Sequence, residues 1–292
     1  QPYLDRIEVT FITEPTTSQA MMLNGDADIW LEAPVQNMKE LEDQGFVRQA
    51  GWAGMYYHLM PNTVDPDSPF ADLRVREALG YAINREDLCE ALGYGYYKPL
   101  YKVAPATEWG GSDKPYREYN PEKAKELLAE AGYPDGFATT FHMFESYQDP
   151  ALMVQQMLKD IGIEAEIDLI ENLKFWEYSR EGWSDAVMVT GHVLGPNFAS
   201  TFKQQFPPYS TTGNVSVKAP EGIETLIDAA LETPDPEEQK DLNRQLIKEI
   251  YDDMMVIPLL TVVKGHIIAP NVHDGDFMYG SDTMYSWRPA DT

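Results

Sequence analysis

The chain has 292 residues, 43% of them hydrophobic, enough for a core of ordinary size in one or two domains. Forty-eight acidic against 22 basic residues give a formal net charge of −26, which excludes nucleic acid and anionic membranes as partners because both would be repelled. The charges alternate with Leu, Ile, Tyr and Trp, so the chain is an acidic globule rather than a disordered tail.

The stretch from Ile7 to Ile12 alternates apolar and polar residues and predicts a half-buried strand. Pro15 and Thr16 open a short helix through Gln19–Leu23, Asn24-Gly25 ends it, and Ala27–Leu31 reads as a strand. Asp26 and Asp28 lack the spacing of a cation loop and read as turn residues. A helix over Val35–Gln44 and an aromatic strand over Met55–Leu59 follow. Pro61–Pro69, with three prolines and two aspartates, reads as a crossing between lobes.

Asp72 is placed to cap a helix whose stripe is Val75, Ala78, Leu79, Ala82 and Ile83, with Arg74, Arg76, Glu77 and Tyr81 off it. Asn84 and Asp87 cap a second helix, which buries the only cysteine, Cys89, as a structural thiol. Gly93–Pro115 has no clear period. Asn120-Pro121-Glu122 then starts a helix with the stripe Ala124, Leu127, Leu128 and Ala131, ended by Gly132. A strand over Phe137–Phe144, a helix over Pro150–Ile161 and an alternating strand from Ile163 to Leu169 predict a parallel, right-handed crossover unit. A helix over Asn172–Arg180 leads to a buried strand, Asp185–Val189. Helices over Glu221–Leu231 and Pro236–Tyr251 follow, then an apolar strand, Met255–Lys264, broken by Pro258 at an edge or hinge.

No nucleophile elbow, phosphate loop, dinucleotide fingerprint or zinc helix motif occurs, and no two of the five histidines have helical ligand spacing. The expectation is therefore no enzyme, no metal and no cofactor. Ligand binding has better support. Seventeen Tyr and six Trp supply amphipathic lining for a polar cleft, with Trp109, Trp183 and Trp287 as candidates. The long segment Thr190–Asn214 follows a buried strand, where ligands gather in an open α/β sheet. Thr190, Gly191, His192, Asn197, Tyr209 and Asn214 are its candidate contacts, together with Trp183.

The string FADLRVREALGYAINREDL at Phe70–Leu88 resembles the D-x-R-V-R-x-A-[x]3-A-I-[DN]-R-E signature of the family 5 extracellular solute-binding proteins, which serve peptide- and nickel-type ABC transporters. YLDRIEVTFI, NGDADI, YYHLMPN, NPEKAKELLAEAGYPDG and VQQMLKDIGIEAEI resemble further family segments, in family order and over nearly the whole length. The resemblance implies an α/β, type II periplasmic-binding-protein-like fold with mixed sheets flanked by helices. One lobe, 61–262, is nearly complete, and 1–60 with 263–292 form part of the other. It also implies an extracytoplasmic monomer that closes on a small polar solute and delivers it to an ABC permease. Family members carry an export signal and more of the first lobe ahead of the Y-L-D strand. This sequence opens on Gln1-Pro2-Tyr3, so half the cleft and the signal are expected to lie outside it.

Peptide-binding members place an aspartate in a W-x-x-D-[x]3-P pattern after the buried strand. The corresponding VMVTGHVLGPNF offers His192, counting back from Pro196, or Leu194, counting forward from Asp185. Without that acid an ammonium has no counter-charge there. A peptide, an oligosaccharide and a metal chelate therefore all stay open as solutes, and a hydrolase on the same frame or a sensor without transport are the alternatives.

Overall fold

A computed structural model of the chain describes residues 6–50, 55–104, 117–184, 186–193, 197–210, 213–263, 265–273 and 288–289. In chain order the elements are α1 (Pro15–Asn24), β1 (Ile29–Trp30), α2 (Val35–Glu42), β2 (Val47–Ala50), β3 (Met55–Pro61), α3 (Leu73–Ala82), α4 (Arg85–Gly93), β4 (Lys98–Pro99) and α5 (Pro121–Glu130). They continue with β5 (Phe137–Met143), α6 (Gln148–Lys159), β6 (Ile163–Leu169), α7 (Asn172–Glu181), β7 (Ala186–Val193), α8 (Phe198–Gln205), α9 (Ile223–Glu232) and α10 (Pro236–Asp252). Four strands close the chain: β8 (Ile257–Val262), β9 (Gly265–Ile268), β10 (Val272–His273) and β11 (Arg288–Pro289).

The chain divides into two units, one from Gln1–Gly54, Gly93–Tyr97 and Val262–Thr292, the other from Met55–Leu92 and Lys98–Thr261. The boundaries differ from those expected, 60/61 and 262/263. Met55–Met60 belong to the second unit because β3 is an interior strand of its sheet. Gly93–Tyr97 belong to the first because the Tyr96 ring packs on its core and the Tyr96 hydroxyl bonds Glu42. Pro61–Pro69 is no crossing between lobes. It stays in the second unit, where Asn62 Nδ2 donates to the Trp183 carbonyl at 2.5 Å.

In the first unit, β1 and β2 flank β9 in an antiparallel sheet. Met22, Ala33, Met38, Leu41 and Ile267 form its core. The strand expected over Ile7–Ile12 is not formed. Alternation alone makes no strand without a partner to complete the ladder, and none of the described strands pairs with these residues. Ile7, Val9 and Phe11 are exposed accordingly.

The second unit is built on six strands in the order β4-β8-β3-β7-β5-β6. β5 pairs parallel with β6 and with β7, so β5-α6-β6 is the expected parallel crossover. β3 runs antiparallel to β7. Gly136 and Gly162 make the crossover tight: Gly136 has φ +76°, and a Cβ there would stand 1.8 Å from the Gly162 carbonyl oxygen. One sheet face carries Tyr56, Met60 and Met188 into a core with Phe198 and Phe202 of α8, Ile227 of α9 and Leu246 and Ile250 of α10. Leu59, Val187 and Val189 alternate with them on the other face and are equally buried. Burial on both faces explains the near-continuous apolar runs of these strands. Pro258 lies on β8 just past the short β4 pairing, which joins Lys98 and Pro99 to Thr261 and Leu260.

Three caps follow the sequence: Asp72 accepts from Arg74 N at 2.8 Å, Asn84 from Asp87 N at 3.3 Å and Asn120 from Lys123 N at 2.9 Å. Asp235, not singled out from sequence, accepts from Glu237 N at 2.9 Å. Val75, Ala78, Leu79, Ala82 and Ile83 are all buried, as their spacing predicts. Arg76 departs from its expected place off the stripe. It is buried because its guanidinium donates to the carbonyls of Asp253, Phe70 and Ala71. Buried Arg85 likewise donates to the carbonyls of Pro258, Gly80 and Ile83. Burial pushes the Cys89 thiol up to about 12, so it is unreactive as expected.

Candidate functional site

β5 and β6 end together at Met143 and Leu169, but Met143 lies opposite Val189, so β7 runs on past β5. The residues beyond, Thr190–Val193, are not the loop that their composition suggests. They pair with Met55–His58 of β3, which lengthens the strand by supplying a ladder partner. Ligand sites of open α/β sheets lie at this carboxyl end.

Gly191 sits opposite Tyr57. A Cβ at 191 would come 2.9 Å from both Tyr57 Cδ1 and Met55 Cε, so the glycine lets the tyrosine ring lie across the strand. From Tyr57 a run of aromatic rings follows the carboxyl end of β5 to α7. Tyr57 meets Tyr147 edge-on at 4.9 Å, Phe144 stands 6.4 Å from Tyr147 and 4.8 Å from Phe175, and Phe175 meets Trp176 at 5.4 Å. Trp176 is 47% exposed and Leu173, one turn earlier, 82%. Beside this run His142 Nδ1 lies 2.8 Å from Asp168 Oδ2, with the Tyr178 ring 4.7 Å from the imidazole.

On the opposite face of β7, His192 Nδ1 is 2.9 Å from Nε2 of fully buried His58. The two rings stack at 4.7 Å. His192 Nε2 is 3.4 Å from Asn214 Nδ2, which also donates to the Gln205 carbonyl at 2.9 Å. Ser179 Oγ donates to Asn214 Oδ1 at 3.4 Å and accepts from Asn214 N at 3.2 Å. Burial holds His192 at about 4 and, with the neighbouring His192 adding to it, holds His58 well below the ordinary histidine value. Both are neutral at pH 7, and this side of β7 carries no charge.

Of the residues expected from sequence, Thr190, Gly191, His192 and Asn214 are brought together here. Thr190 and Asn214 are buried and His192 half-buried, so only Gly191, through Tyr57, adjoins the aromatic run. Three others are engaged elsewhere. Trp183 is a core residue whose indole donates to the Ala186 carbonyl at 3.2 Å. Asn197 caps α8, accepting from Ala199 N at 3.0 Å. Tyr209 donates to the Glu224 carbonyl at 3.1 Å, with Lys203 Nζ 4.3 Å from its ring centre. Trp109 and Trp287 lie outside the described residues. Sequence reasoning missed Tyr57, Phe144, Tyr147, Phe175 and Trp176. The position of Phe144, at the carboxyl end of a predicted parallel strand, was the one signal that pointed there.

The sequence profile of the bacterial extracellular solute-binding proteins, family 5 (middle region), matches residues 1–214. The chain belongs to this family. Family 5 proteins are transport receptors, not enzymes. Among curated family 5 relatives, the glutathione-binding protein GsiB of Salmonella paratyphi A is 32% identical over 308 residues, covering 99% of this chain and 58% of the relative. GsiB of Escherichia coli K12 is 30% identical with the same coverage. The chain thus spans somewhat more than half the length of these relatives. Among solved structures, the periplasmic binding protein DppA from Helicobacter pylori, in complex with the peptide STSA, superposes with a TM-score of 0.81 at 21% identity, covering 96% of this chain and 56% of that one. NikA from Brucella suis, in complex with Fe(III)-EDTA, gives a TM-score of 0.83 at 18% identity, covering 99% and 63%. Both likenesses establish the periplasmic-binding fold. In this family 5 chain, His192 at the end of β7 and His58 beside it on β3 are both neutral.

Proposed function

We propose that the chain is part of the extracytoplasmic solute receptor of an ABC importer, and that its solute is a small peptide-like molecule held at the carboxyl end of β5 and β7. Family membership supports the receptor role, and the glutathione-binding relatives support a short peptide. The observation that carries the location is the aromatic run from Tyr57 to Trp176, which ends in an exposed ring beside the strand ends. Aromatic faces pack on peptide planes and aliphatic stems, while the neutral β7 end leaves the solute's ammonium to be paired elsewhere.

A second reading is favoured by that same neutrality: an uncharged oligosaccharide stacked on Trp176 and Tyr57. Calorimetric titration with reduced glutathione, di- to tetrapeptides and malto-oligosaccharides separates the two. The first reading expects saturable heat from a peptide, abolished by replacing Tyr57 and Trp176 with alanine. Heat from sugars alone favours the second, and heat from none contradicts both.

A further inference from the structure

The hydrogen bonds around His58 and His192 admit one proton arrangement. Asn214 is pinned by a partner that cannot exchange roles: its Nδ2 faces the Gln205 carbonyl, an acceptor only, at 2.9 Å, which leaves its Oδ1 toward the Ser179 hydroxyl. The amide therefore presents a second N–H to His192 Nε2, which must be bare. His192 then carries its proton on Nδ1 and donates to His58 Nε2, which leaves the proton of His58 on Nδ1. That nitrogen is buried and makes no hydrogen bond of good geometry.

Now add one proton. The contact between His192 Nδ1 and His58 Nε2 holds a single hydrogen, so the three protons of the charged pair occupy that contact, His58 Nδ1 and His192 Nε2. Two donors then face each other across 3.4 Å, at His192 Nε2 and Asn214 Nδ2. Turning the Asn214 amide would relieve them but would set its oxygen against the Gln205 carbonyl. The groups facing the pair are Tyr56 from β3, Phe206 at the end of α8 and Thr190 from β7, with Ser179 of α7 reached through Asn214. Burial keeps the Tyr56 hydroxyl protonated, and among the described residues no carboxylate or cation acts on either ring. The Tyr56 backbone carbonyl favours a proton on His58, but burial and the neighbouring His192 ring outweigh it.

We propose that His58, His192 and Asn214 form a one-proton latch that ties the end of β7 to α7 and α8, and that the first proton taken up by the pair opens it. Any loss of solute affinity on opening rests on the receptor reading; the latch itself does not. The chemical class it recognises is the proton.

The test needs no solute. In ¹⁵N-histidine-labelled protein at pH 7.5, both imidazoles should be the Nδ1–H tautomer, the minor form of free histidine. On acidification to pH 4.5, the side-chain amide signals of Asn214 should move in step with the first imidazole to titrate. N214D supplies a carboxylate to the charged form and should move that midpoint to higher pH, to at least tenfold lower proton concentration; Asp also tolerates the positive φ of 57° at this site. An Nε2–H tautomer on either ring, or Asn214 signals that ignore the titration, would overturn the proposal. If N214D fails to fold, the wild-type tautomers and titration decide alone.

Discussion

Tyr57 on β3 stands opposite Gly191 on β7, and a single added methyl group at 191 would reach within 2.9 Å of the tyrosine ring. The same methyl would stand 3.1 Å from the Tyr56 carbonyl, so rotation of the ring alone does not clear it. G191A should therefore cost about 1–3 kcal/mol of stability, the range of overpacked sites, and should displace the first ring of the aromatic run. Urea denaturation measures this. An unchanged midpoint would show that the ring does not lie across the strand.

Arg85 donates to three main-chain carbonyls, and its guanidinium stands 5.7 Å from the Tyr101 ring centre. R85M keeps most of the stem and removes every donor, so about 3 kcal/mol or more should be lost, each bond to a charged group contributing about 1.5–3 kcal/mol. Lysine restores one charge without the planar fork, and R85K should fall between. Thermal unfolding of the two variants ranks them.

Acid should destabilise the protein in a defined window. His192 titrates at about 4 in the fold against 6.5 in the ordinary state, with His58 shifted in the same direction. Between those values the unfolded chain binds a proton that the folded chain does not. Stability is thus complete above pH 6.5, declines as pH falls toward 4 and loses no more from this group below that, about 3 kcal/mol in all. H192Q should flatten this limb in denaturation curves recorded from pH 7.5 to 4. An equally steep limb in the variant would assign the loss to other groups.

The parts legible in the sequence were those decided locally. Asp72, Asn84 and Asn120 announce helix starts because a cap needs only its own first turn. The parallel pairing of Ile163–Leu169 with Phe137–Met143 was legible because one helix spans the crossover. What failed depended on distant pairing. His58 and His192 are 134 residues apart, and only the register of β3 on β7 joins them. Arg76 reads as a surface residue until its partner Asp253, 177 residues on, is in place. Thr190–Val193 reads as loop because Thr-Gly-His breaks the apolar run, yet β3 completes its ladder.

On the proposed function, this family 5 chain holds a solute on the aromatic run at the carboxyl end of its sheet. Trp176 tests it most directly, since its 47% exposure lets it be removed with little effect on folding. The measurement is calorimetric titration of the protein, expressed from its complete gene, with reduced glutathione and short peptides, beside W176A. The account predicts saturable binding that W176A weakens tenfold or more while its melting temperature stays within about 2 °C, the shift expected for under about 1 kcal/mol. Binding of equal strength in W176A would contradict it.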